Sequence, residues 1–431
     1  MNTKNILILT YYWPPSGGGG VQRWMYFSVY LSKLGFNPTV VTVNPQKASY
    51  PLIDHSQTSM VKDIETIYTD TLEPFKIYSL LKSGKKSSEI PYGNLGSNNG
   101  GVFSKIMAFV RANFFIPDAR KGWVKFAVKA STQILKNRKF DWLITTGPPH
   151  STHLAGLYLS EKFKIKWLAD FRDPWTEIYF LNETYRMKIA VQKDLKLEKL
   201  VLNKADLITT VGPSMGELLL KKIEDKSKLK VLFNGYDSQM FDEIERKKEK
   251  NEFFTISHIG LLGKSQSFGS YVKALIMSGI DLSKIKIHLA GNVHSEFIEL
   301  LKSNNINYVC NSFLPRKDAL TLMKNSDMLL LCPPMAGETK IIISTKSMEY
   351  LAAGVPVWGI GDTQSDAAML VKKQSYSGFF APENISESAE FLEQSFKNWE
   401  NNVFLINDFN PEQYSRYAVS KQLAELLNTP N

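Results

Sequence analysis

The chain has 431 residues, of which 43% are hydrophobic and 22% charged, and at about 150 residues per domain this length predicts two or three globular domains. Cys310 and Cys332 lie far apart without C-x-x-C spacing, which excludes a disulfide framework and a structural zinc site and indicates a reducing compartment. The N-terminal apolar run, residues 6–9, is too short for a signal peptide, and no run of about 18 apolar residues occurs. We therefore expect a cytoplasmic protein, soluble or peripheral at the inner face of a membrane.

The net charge of +10 is unevenly distributed along the chain. Residues 1–237 contain 33 Lys and Arg against 20 Asp and Glu, whereas the remaining residues contain 19 against 22. The most basic segment, 101–140, interleaves basic and aromatic residues and contains one acidic residue, Asp118. It predicts either a surface that meets anionic lipid or a polyanionic acceptor, or a solvated helix face with aromatic side chains in the core. We expect no nucleic-acid partner, because no helix-turn-helix, zinc-finger or RNP pattern accompanies the charge.

Short apolar runs alternate with helical patterns through most of the chain. One series predicts the strands of a first unit, at 4–10, 39–43, 142–145, 166–169, 208–211 and 229–233. Another predicts the strands of a second unit, at 253–259, 285–290, 328–331 and 355–360. Repeated alternation of strand and helix indicates parallel, doubly wound sheets, so the predicted fold class is α/β with two Rossmann-like domains.

Polar segments between these runs indicate the domain boundaries. We expect an N-terminal domain in 1–237, a hydrophilic linker that acts as a hinge in 238–252, and a C-terminal domain in 253–405. A final helix in 406–431 has no strand after it and is expected to pack back on the first domain. Residues 82–101, rich in Gly, Ser, Asn and Lys, predict a mobile loop.

A glycine-rich turn, residues 16–21 with the sequence Ser-Gly-Gly-Gly-Gly-Val, joins the first strand to a helix. Glycine lets backbone amides approach a ligand closely, and a helix N-terminus favours an anion, so Gly18, Gly19 and Gly20 can meet a phosphate. A dinucleotide site would need an acid after the second strand, where the chain has Val-Asn-Pro at 43–45. A plain tight turn is the alternative.

A second glycine-rich turn, residues 258–265, superficially resembles a phosphate-binding P-loop. That motif needs glycine where His258 stands, which excludes a P-loop NTPase. Lys264 remains, either as a point charge for a diphosphate or as a solvated loop lysine.

The most informative segment is 346–357, with the sequence Lys-Ser-Met-Glu-Tyr-Leu-Ala-Ala-Gly-Val-Pro-Val. Ser344 or Thr345 can cap a helix that ends at Gly354, so that its free amides face a phosphate. Lys346 and Glu349 are three residues apart and can lie along one edge of a ligand, where the carboxylate can accept from two ribose hydroxyls. The alternative is a simple surface ion pair.

This segment resembles the donor-site signature of retaining GT-B glycosyltransferases, specifically glycosyltransferase family 4. The same family has counterparts, in this order, of the aromatic-Pro-Pro and glycine-rich stretch 12–20, Gly-Pro-Pro-His at 147–150, Asp-Phe-Arg-Asp-Pro-Trp at 170–175 and Asn-Gly-Tyr-Asp at 234–237. The resemblance therefore spans nearly the whole chain.

The resemblance implies a GT-B fold, with an N-terminal acceptor-binding domain and a C-terminal nucleotide-sugar-binding domain facing a cleft. It implies transfer of a hexosyl-like sugar, with retention, from a nucleotide-diphosphate sugar to a hydroxyl of a saccharide or lipid-linked saccharide. Capsule, O-antigen or other cell-surface polysaccharide synthesis is the implied setting. No cofactor is implied beyond the donor substrate, and no metal is expected, since no Asp-x-Asp motif occurs.

Donor-site roles also follow from the resemblance. Glu349 would bind the donor ribose, and Lys346 or Lys264 would face the diphosphate. Gly18 to Gly20 would lie against the donor phosphate or the acceptor. His150 would stand near the donor sugar as a catalytic candidate, although a lone histidine in a proline-rich loop is as often a structural cap.

Three charges, Asp170, Arg172 and Asp173, follow the strand at 166–169. They form either an acceptor-binding cluster or an internal Arg–carboxylate brace, and Asp170 is retained as a second catalytic candidate. One departure from the family stands out: the signature has a glutamate eight positions before Glu349, where this chain has Ile341. Glu338, three residues earlier, is a candidate substitute, and recognition of the sugar itself is left open.

Two other functions are compatible with these residues. A nucleotide-sugar 2-epimerase has the same architecture but needs acid–base carboxylates and no acceptor site. A non-catalytic GT-B-fold binding protein would keep the fold alone, an alternative that Ile341 makes worth testing.

Overall fold

The structure, a computed structural model, describes residues 3–73, 102–178, 185–247, 249–335, 339–341, 343, 345–407 and 409–429. Three features named above lie outside these residues: the loop predicted at 82–101, the cap candidate Ser344 and the substitute acid Glu338. Two compact units account for the chain, one comprising 1–233 with 419–431 and the other comprising 234–418.

The first unit is built on a seven-stranded sheet in the order β3-β2-β1-β4-β5-β6-β7, and all of its paired strands are parallel. The strands are β1 Lys4–Leu9, β2 Phe36–Val43, β3 Glu65–Thr69, β4 Trp142–Gly147, β5 Lys166–Phe171, β6 Leu207–Thr210 and β7 Leu229–Val231. The helices are α1 Gly19–Lys33, α2 Val102–Phe114, α3 Lys121–Asn137, α4 Thr152–Phe163, α5 Lys188–Lys204 and α6 Pro213–Leu220.

The second unit has a six-stranded parallel sheet in the order β10-β9-β8-β11-β12-β13. Its strands are β8 Phe254–Ile259, β9 Ile285–Ala290, β10 Tyr308–Asn311, β11 Met328–Leu331, β12 Val357–Ile360 and β13 Gly378–Phe380. Its helices are α7 Ser238–Asp242, α8 Phe268–Met277, α9 Ser295–Ser303, α10 Arg316–Asn325, α11 Thr345–Ala353, α12 Asp366–Val371 and α13 Ile385–Glu400; α14 Arg416–Asn428 runs from this unit into the first.

The central strands of both sheets are largely buried because helices cover both faces of a doubly wound sheet. In β1, residues 6–9 are completely buried, and β11 at the centre of the second sheet is buried from end to end. The predicted pair of doubly wound parallel sheets is therefore confirmed.

Both sheets reverse their strand order once, and this reversal locates the ligand crevices. The chain moves outward in one direction from β1 and in the other from β4, and it repeats this pattern at β8 and β11. In open parallel sheets, ligands bind at the carboxyl ends of the two strands that flank such a switch point. The segments that follow β1, β4, β8 and β11 are therefore where function is expected.

The C-terminal helix α14 completes the core of the first unit. Val419, Leu423 and Leu427 are buried among side chains of β1, β4 and α1. The indole Nε1 of Trp142 and the ammonium of Lys4 both donate to the Leu427 carbonyl, at 3.1 and 2.9 Å. The helix thus packs on the first unit, as its position after the last strand predicted.

The predicted linker, 238–252, begins with the short helix α7, and its role as a hinge stays a prediction. No helix in the described part of the chain is long and apolar enough to cross a membrane.

Replacing Leu423 with alanine should lower the free energy of unfolding of the first unit by about 2–5 kcal/mol, because deleting buried methyl groups leaves a cavity. Urea unfolding followed by tryptophan fluorescence measures this change. Gln422→Ala, at an exposed position of the same helix, is the matched control and should stay within about 0.5 kcal/mol of the parent. Equal unfolding midpoints for the two variants would contradict the packing role of α14.

Candidate functional site

The glycine-rich turn after β1 ends in an open helix N-terminus. Gly18 is the N-cap of α1 and has φ +92°, a left-handed conformation that favours glycine. Gly18, Gly19 and Gly20 are exposed, and the first turn of α1 contains no acidic residue. Free amides and the positive end of the helix dipole are therefore available to an anion at this edge of the sheet.

Arg172 fixes this turn to the loop after β4. Its backbone amide and Nε donate to the Gly147 carbonyl at 3.0 and 3.2 Å. Its two terminal nitrogens donate to the carbonyls of Gly20 and Pro148. A Cβ on Gly20 would lie 3.1 Å from Arg172 Nη1, so glycine is what allows this close approach. Asp173, its neighbour in the predicted cluster, is exposed.

Asp170 is completely buried and forms an internal brace. Its Oδ1 accepts from Arg23 Nη2 at 2.9 Å and from the Thr209 hydroxyl at 2.7 Å. Its Oδ2 accepts from Trp24 Nε1 at 2.6 Å and from the Thr146 hydroxyl at 2.9 Å. Although burial opposes ionisation, the Arg23 guanidinium and these donors hold the pKa of Asp170 below its ordinary value.

Asp170 thus forms an internal Arg–carboxylate pair, but its partner is not the arginine of the local cluster. The guanidinium that pairs with Asp170 is that of Arg23, in α1, while Arg172 binds main-chain carbonyls. The reason is geometric: Asp170 is the fifth residue of β5 and faces α1, whereas Arg172 follows the end of the strand.

His150 and His153 form a buried, uncharged pair beside Gly147. His150 Nε2 lies 3.2 Å from the Pro174 carbonyl, and its ring stacks on Trp175 at 5.2 Å between centroids. A Cβ on Gly147 would lie 2.7 Å from both His150 Nδ1 and His153 Nε2, so both nitrogens face this glycine. Burial lowers the pKa of His150 well below its ordinary value and that of His153 to about 3, so both rings are neutral near pH 7.

In the second unit, Lys346 lies over the turn that follows β8. Its Nζ is 3.3 Å from His258 Nε2 and 3.2 Å from the Leu261 carbonyl oxygen. Gly260 has φ +118°, and a Cβ there would lie 3.2 Å from Nζ. Burial lowers the pKa of Lys346 to about 8, although the charge of Glu349 acts in the opposite direction. Lys346 is thus a partly desolvated cation at the switch point of the second sheet.

Glu349 lies one turn further along α11 and is buried. Its Oε1 pairs with Arg316, the first residue of α10, whose side chain is 40% exposed. The pair Lys346 and Glu349 is therefore not a simple surface ion pair, since each charge has a partner from another element.

Lys264 and Ile341 have different surroundings. Lys264 is well exposed and pairs with Glu296 at 2.9 Å. Ile341 ends a short 3-10 turn, Thr339–Ile341, in which the Thr339 hydroxyl donates to Asp362 at 2.7 Å. Within the described ranges, no group of three or more His, Cys, Asp or Glu side chains is arranged to hold a metal ion.

The structure thus brings together some of the predicted residues in each unit. Gly20, Gly147, His150 and Arg172 meet in the first, and Lys346 and Glu349 lie on one helix in the second, while Lys264 is paired elsewhere with Glu296. The partners of Asp170, Lys346 and Glu349 were not predicted, and these are Arg23, His258 and Arg316 in turn. A local signal exists for His258, which is a polar residue in the mostly apolar strand β8. The sequence around Arg23 and Arg316 contains no comparable signal.

Sequence comparison gives one distant relative, and no protein-family model matches the chain. A Methanocaldococcus jannaschii protein named an uncharacterized glycosyltransferase is 25% identical over 201 residues, which is 44% of this chain and 51% of that protein. The chain thus spans about half the length of this curated relative.

Solved structures resemble the chain over almost its entire length. Anabaena HepE, in complex with UDP and glucose, has a TM-score of 0.59 at 12% identity and covers 98% of this chain and 99% of its own. A Rickettsia africae glycosyltransferase gives 0.59 at 15%, covering 99% and 98%. A variant of S. aureus TarM, in complex with fondaparinux, alpha-GlcNAc-glycerol and UDP, gives 0.60 at 10%, covering 99% and 100%.

The chain has the GT-B fold. The predicted fold class is confirmed by the two sheets and by these likenesses together, and membership of glycosyltransferase family 4 stays a prediction. In this GT-B chain, the segments singled out by sequence lie at the carboxyl edges of the two sheets, where the switch points are.

Gly147→Ala should disturb the first-unit group, because the new Cβ would lie 2.7 Å from a nitrogen of each buried histidine. We expect the free energy of unfolding to fall by about 1–3 kcal/mol, the usual cost of overpacking, as measured by urea denaturation. Gly269→Ala is the control, because a Cβ there meets nothing within 4 Å and the residue lies in helix α8. If both variants matched the parent, the tight contact around Gly147 would be refuted.

Proposed function

We propose that the chain is a glycosyltransferase that moves a hexosyl group, with retention, from a nucleotide-diphosphate sugar to a hydroxyl of a saccharide or lipid-linked saccharide. The observation that carries the proposal is the position of Lys346 and Glu349 on one helix at the switch point of the second sheet. Cell-surface polysaccharide synthesis, such as that of capsule or O-antigen, is the setting proposed for this activity.

The second-unit group has the chemistry that a nucleoside diphosphate requires. Lys346 supplies a cation with its ammonium held at a fixed place, and Gly260 leaves the turn beside it free of side-chain atoms. Glu349 supplies carboxylate oxygens that can accept from two vicinal hydroxyls of a ribose. Its pairing with Arg316 orients the carboxylate before a ligand arrives.

The first-unit group is proposed to contact the sugar or the acceptor. A neutral His150 can exchange hydrogen bonds with sugar hydroxyls without adding charge. The open N-terminus of α1 at Gly18 to Gly20 can meet a phosphate oxygen. Asp170 was a catalytic candidate, but its complete burial and internal partners favour a positioning role instead.

The transfer step needs stabilisation of the leaving group more than it needs a strong base. A bond forms between the acceptor oxygen and the anomeric carbon, the bond from that carbon to the diphosphate oxygen breaks, and the acceptor proton passes to the departing phosphate or to solvent. Negative charge therefore grows on the diphosphate as the reaction proceeds. A preorganised cation such as Lys346 stabilises that charge, which is the proposed source of rate acceleration.

The comparisons support UDP as the first nucleotide to test. The HepE structure contains UDP and glucose, and the TarM structure contains UDP with alpha-GlcNAc-glycerol. A thermal-shift screen of UDP-, GDP- and CMP-sugars can identify the nucleotide and sugar that this chain binds. A ligand that binds the native protein raises the apparent stability of that protein.

Lys346→Ala should weaken UDP binding by about 10-fold to 100-fold in calorimetry, the loss expected when a charged hydrogen bond of about 1.5–3 kcal/mol is removed. In the parent protein, UDP affinity should fall as the pH rises through about 8, because the ammonium that attracts the diphosphate is lost there. The alanine variant should lack this pH dependence.

Lys302→Ala, an exposed lysine of helix α9, serves as the control and should bind like the parent. Retention of full UDP affinity in Lys346→Ala would remove the main support for the proposed site. Incubation with donor alone tests the epimerase alternative, since an epimerised nucleotide sugar would replace the transferase interpretation.

We further propose that the first unit meets an anionic membrane surface, which would suit a lipid-linked acceptor. Trp123 is in the core and donates to the Thr69 hydroxyl at 2.7 Å, as the solvated-helix interpretation expected. Other large apolar side chains nearby are turned to solvent: Phe114 is 61% exposed, Tyr185 75% and Ile189 79%. Exposed apolar side chains beside cationic ones are typical of interfacial binding.

Lysines accompany these apolar side chains. Lys121 donates to the Phe114 carbonyl at 3.3 Å and is close enough to Lys193 for their charges to interact. Lys125, Lys129 and Lys136 continue the exposed face of α3. Such a face is attracted to anionic lipid by about 1 kcal/mol per lysine.

The double variant Lys125→Gln/Lys129→Gln should bind vesicles containing phosphatidylglycerol about thirty-fold more weakly than the parent, from the loss of two charge contacts. Co-sedimentation at low and high salt measures the effect, which salt should diminish. Lys302→Gln/Lys317→Gln, on the second unit, is the matched control. Vesicle binding that depends on neither lipid charge nor salt concentration would contradict the membrane proposal.

A further inference from the structure

His258 is a buried histidine whose proton can be assigned from its partners. Its Nδ1 lies 2.9 Å from the Leu330 carbonyl oxygen and its Nε2 lies 3.3 Å from the Leu261 carbonyl oxygen, and a neutral ring can donate to only one of them. Because the Leu330 contact is the shorter one and the Lys346 ammonium, which can only donate, faces Nε2, we assign the hydrogen to Nδ1. Burial, reinforced by the charge of Lys346, lowers the pKa of His258 to about 3, so the ring is neutral. Its Nε2 is then an acceptor, and Lys346 Nζ, at 3.3 Å, is the donor that faces it.

The surrounding backbone leaves little freedom for the lysine side chain. The Leu261 carbonyl accepts from Nζ on a second side, and Gly260 lies against the end of the side chain. Gly260 itself is held by its amide, which donates to the Ala290 carbonyl at 2.6 Å. The Tyr350 hydroxyl accepts from the Ile259 amide at 3.1 Å and fixes helix α11 to the end of β8. The ammonium therefore has a defined place.

We propose that His258 is the positioning residue of the second-unit site, and that its neutral imidazole holds the Lys346 ammonium where the phosphates of a nucleoside diphosphate bind. This inference rests on the proposed function for its ligand. The contact between the two side chains is a property of the free protein and can be tested alone.

The other ionisable groups around Lys346 do not replace this contact. Glu349, on the same helix, pairs with Arg316. Cys332, which follows β11, is buried, and burial raises the pKa of its thiol to about 12, so it carries no charge near neutral pH. The hydrogen bonds that Lys346 Nζ makes within the described residues go to His258 and Leu261.

Two substitutions of His258 distinguish the hydrogen-bonding roles of its two ring nitrogens. His258→Asn keeps a donor near the place of Nδ1 for Leu330 and removes the acceptor that faces Lys346. His258→Gln places an acceptor near the position of Nε2 and should rescue the contact. His288→Asn is the matched control, because His288 lies on the adjacent strand β9 and its Nε2 bonds to Asn311 at 2.7 Å.

Titration of carbon-labelled lysine by NMR reads the Lys346 pKa directly, with the Lys346→Arg variant assigning the resonance. His258→Asn should lower this pKa by about one pH unit, because a hydrogen bond that favours the charged form is lost. Calorimetry should then show UDP affinity about tenfold weaker near pH 8, with a smaller loss near pH 6, where the ammonium forms in either protein. His258→Gln and His288→Asn should stay close to the parent.

An unchanged lysine pKa together with a parental UDP profile in His258→Asn would overturn the inference. A lower pKa in His288→Asn as well would also overturn it, since the effect would then be general. If the parent protein binds no nucleotide at any pH, the proposed function fails, while the lysine titration still decides the role of His258.

Discussion

The buried ion pair of Asp170 and Arg23 is the interaction on which the first unit depends. A buried carboxylate is costly unless it is paired and fully hydrogen-bonded, and Asp170 meets both conditions with donors from α1, β4 and β6. Arg23 also donates to the Leu232 carbonyl at 2.7 Å, beyond the end of β7. One side chain in β5 therefore fastens the glycine-rich helix to the two neighbouring strands, β4 and β6, close to the turn that holds Gly20 and Arg172.

The second unit achieves the same local order with a cation instead of an anion. Lys346 is partly desolvated, which is unfavourable for an ammonium, and its partners are a neutral ring and a carbonyl. The strand order places this cation beside the ends of β8 and β11. In both units, a charge held inside the protein organises a glycine-rich turn whose backbone remains open to a ligand.

Apolar runs and glycine turns are local signals, so the sequence predicted the doubly wound parallel class and ten of the thirteen strands of the two sheets. The three strands that it missed, β3, β10 and β13, are short strands at the edges of the sheets, where the apolar pattern is weaker. It also singled out Lys346 and Glu349, by their spacing on one helix together with the family resemblance, and their donor-site roles stay a prediction. Their partners could not be predicted in this way: His258 and Arg316 come from other elements, and contacts between distant elements leave no periodic pattern. Asp170 illustrates the same limit, because a neighbouring arginine, Arg172, was the obvious partner by spacing and the folded chain supplied Arg23 instead.

The choice of a neutral partner for Lys346 has a physical consequence for binding. A carboxylate in the place of His258 would hold the ammonium more strongly, but it would also cancel the charge that attracts a diphosphate and would repel the ligand's own oxygens. A neutral imidazole fixes the ammonium and leaves its charge uncompensated. The reduced pKa of Lys346 is the cost of that arrangement, and a bound diphosphate would reverse it by stabilising the protonated form. Position and charge are thus supplied by different groups, which is what a preorganised anion site requires.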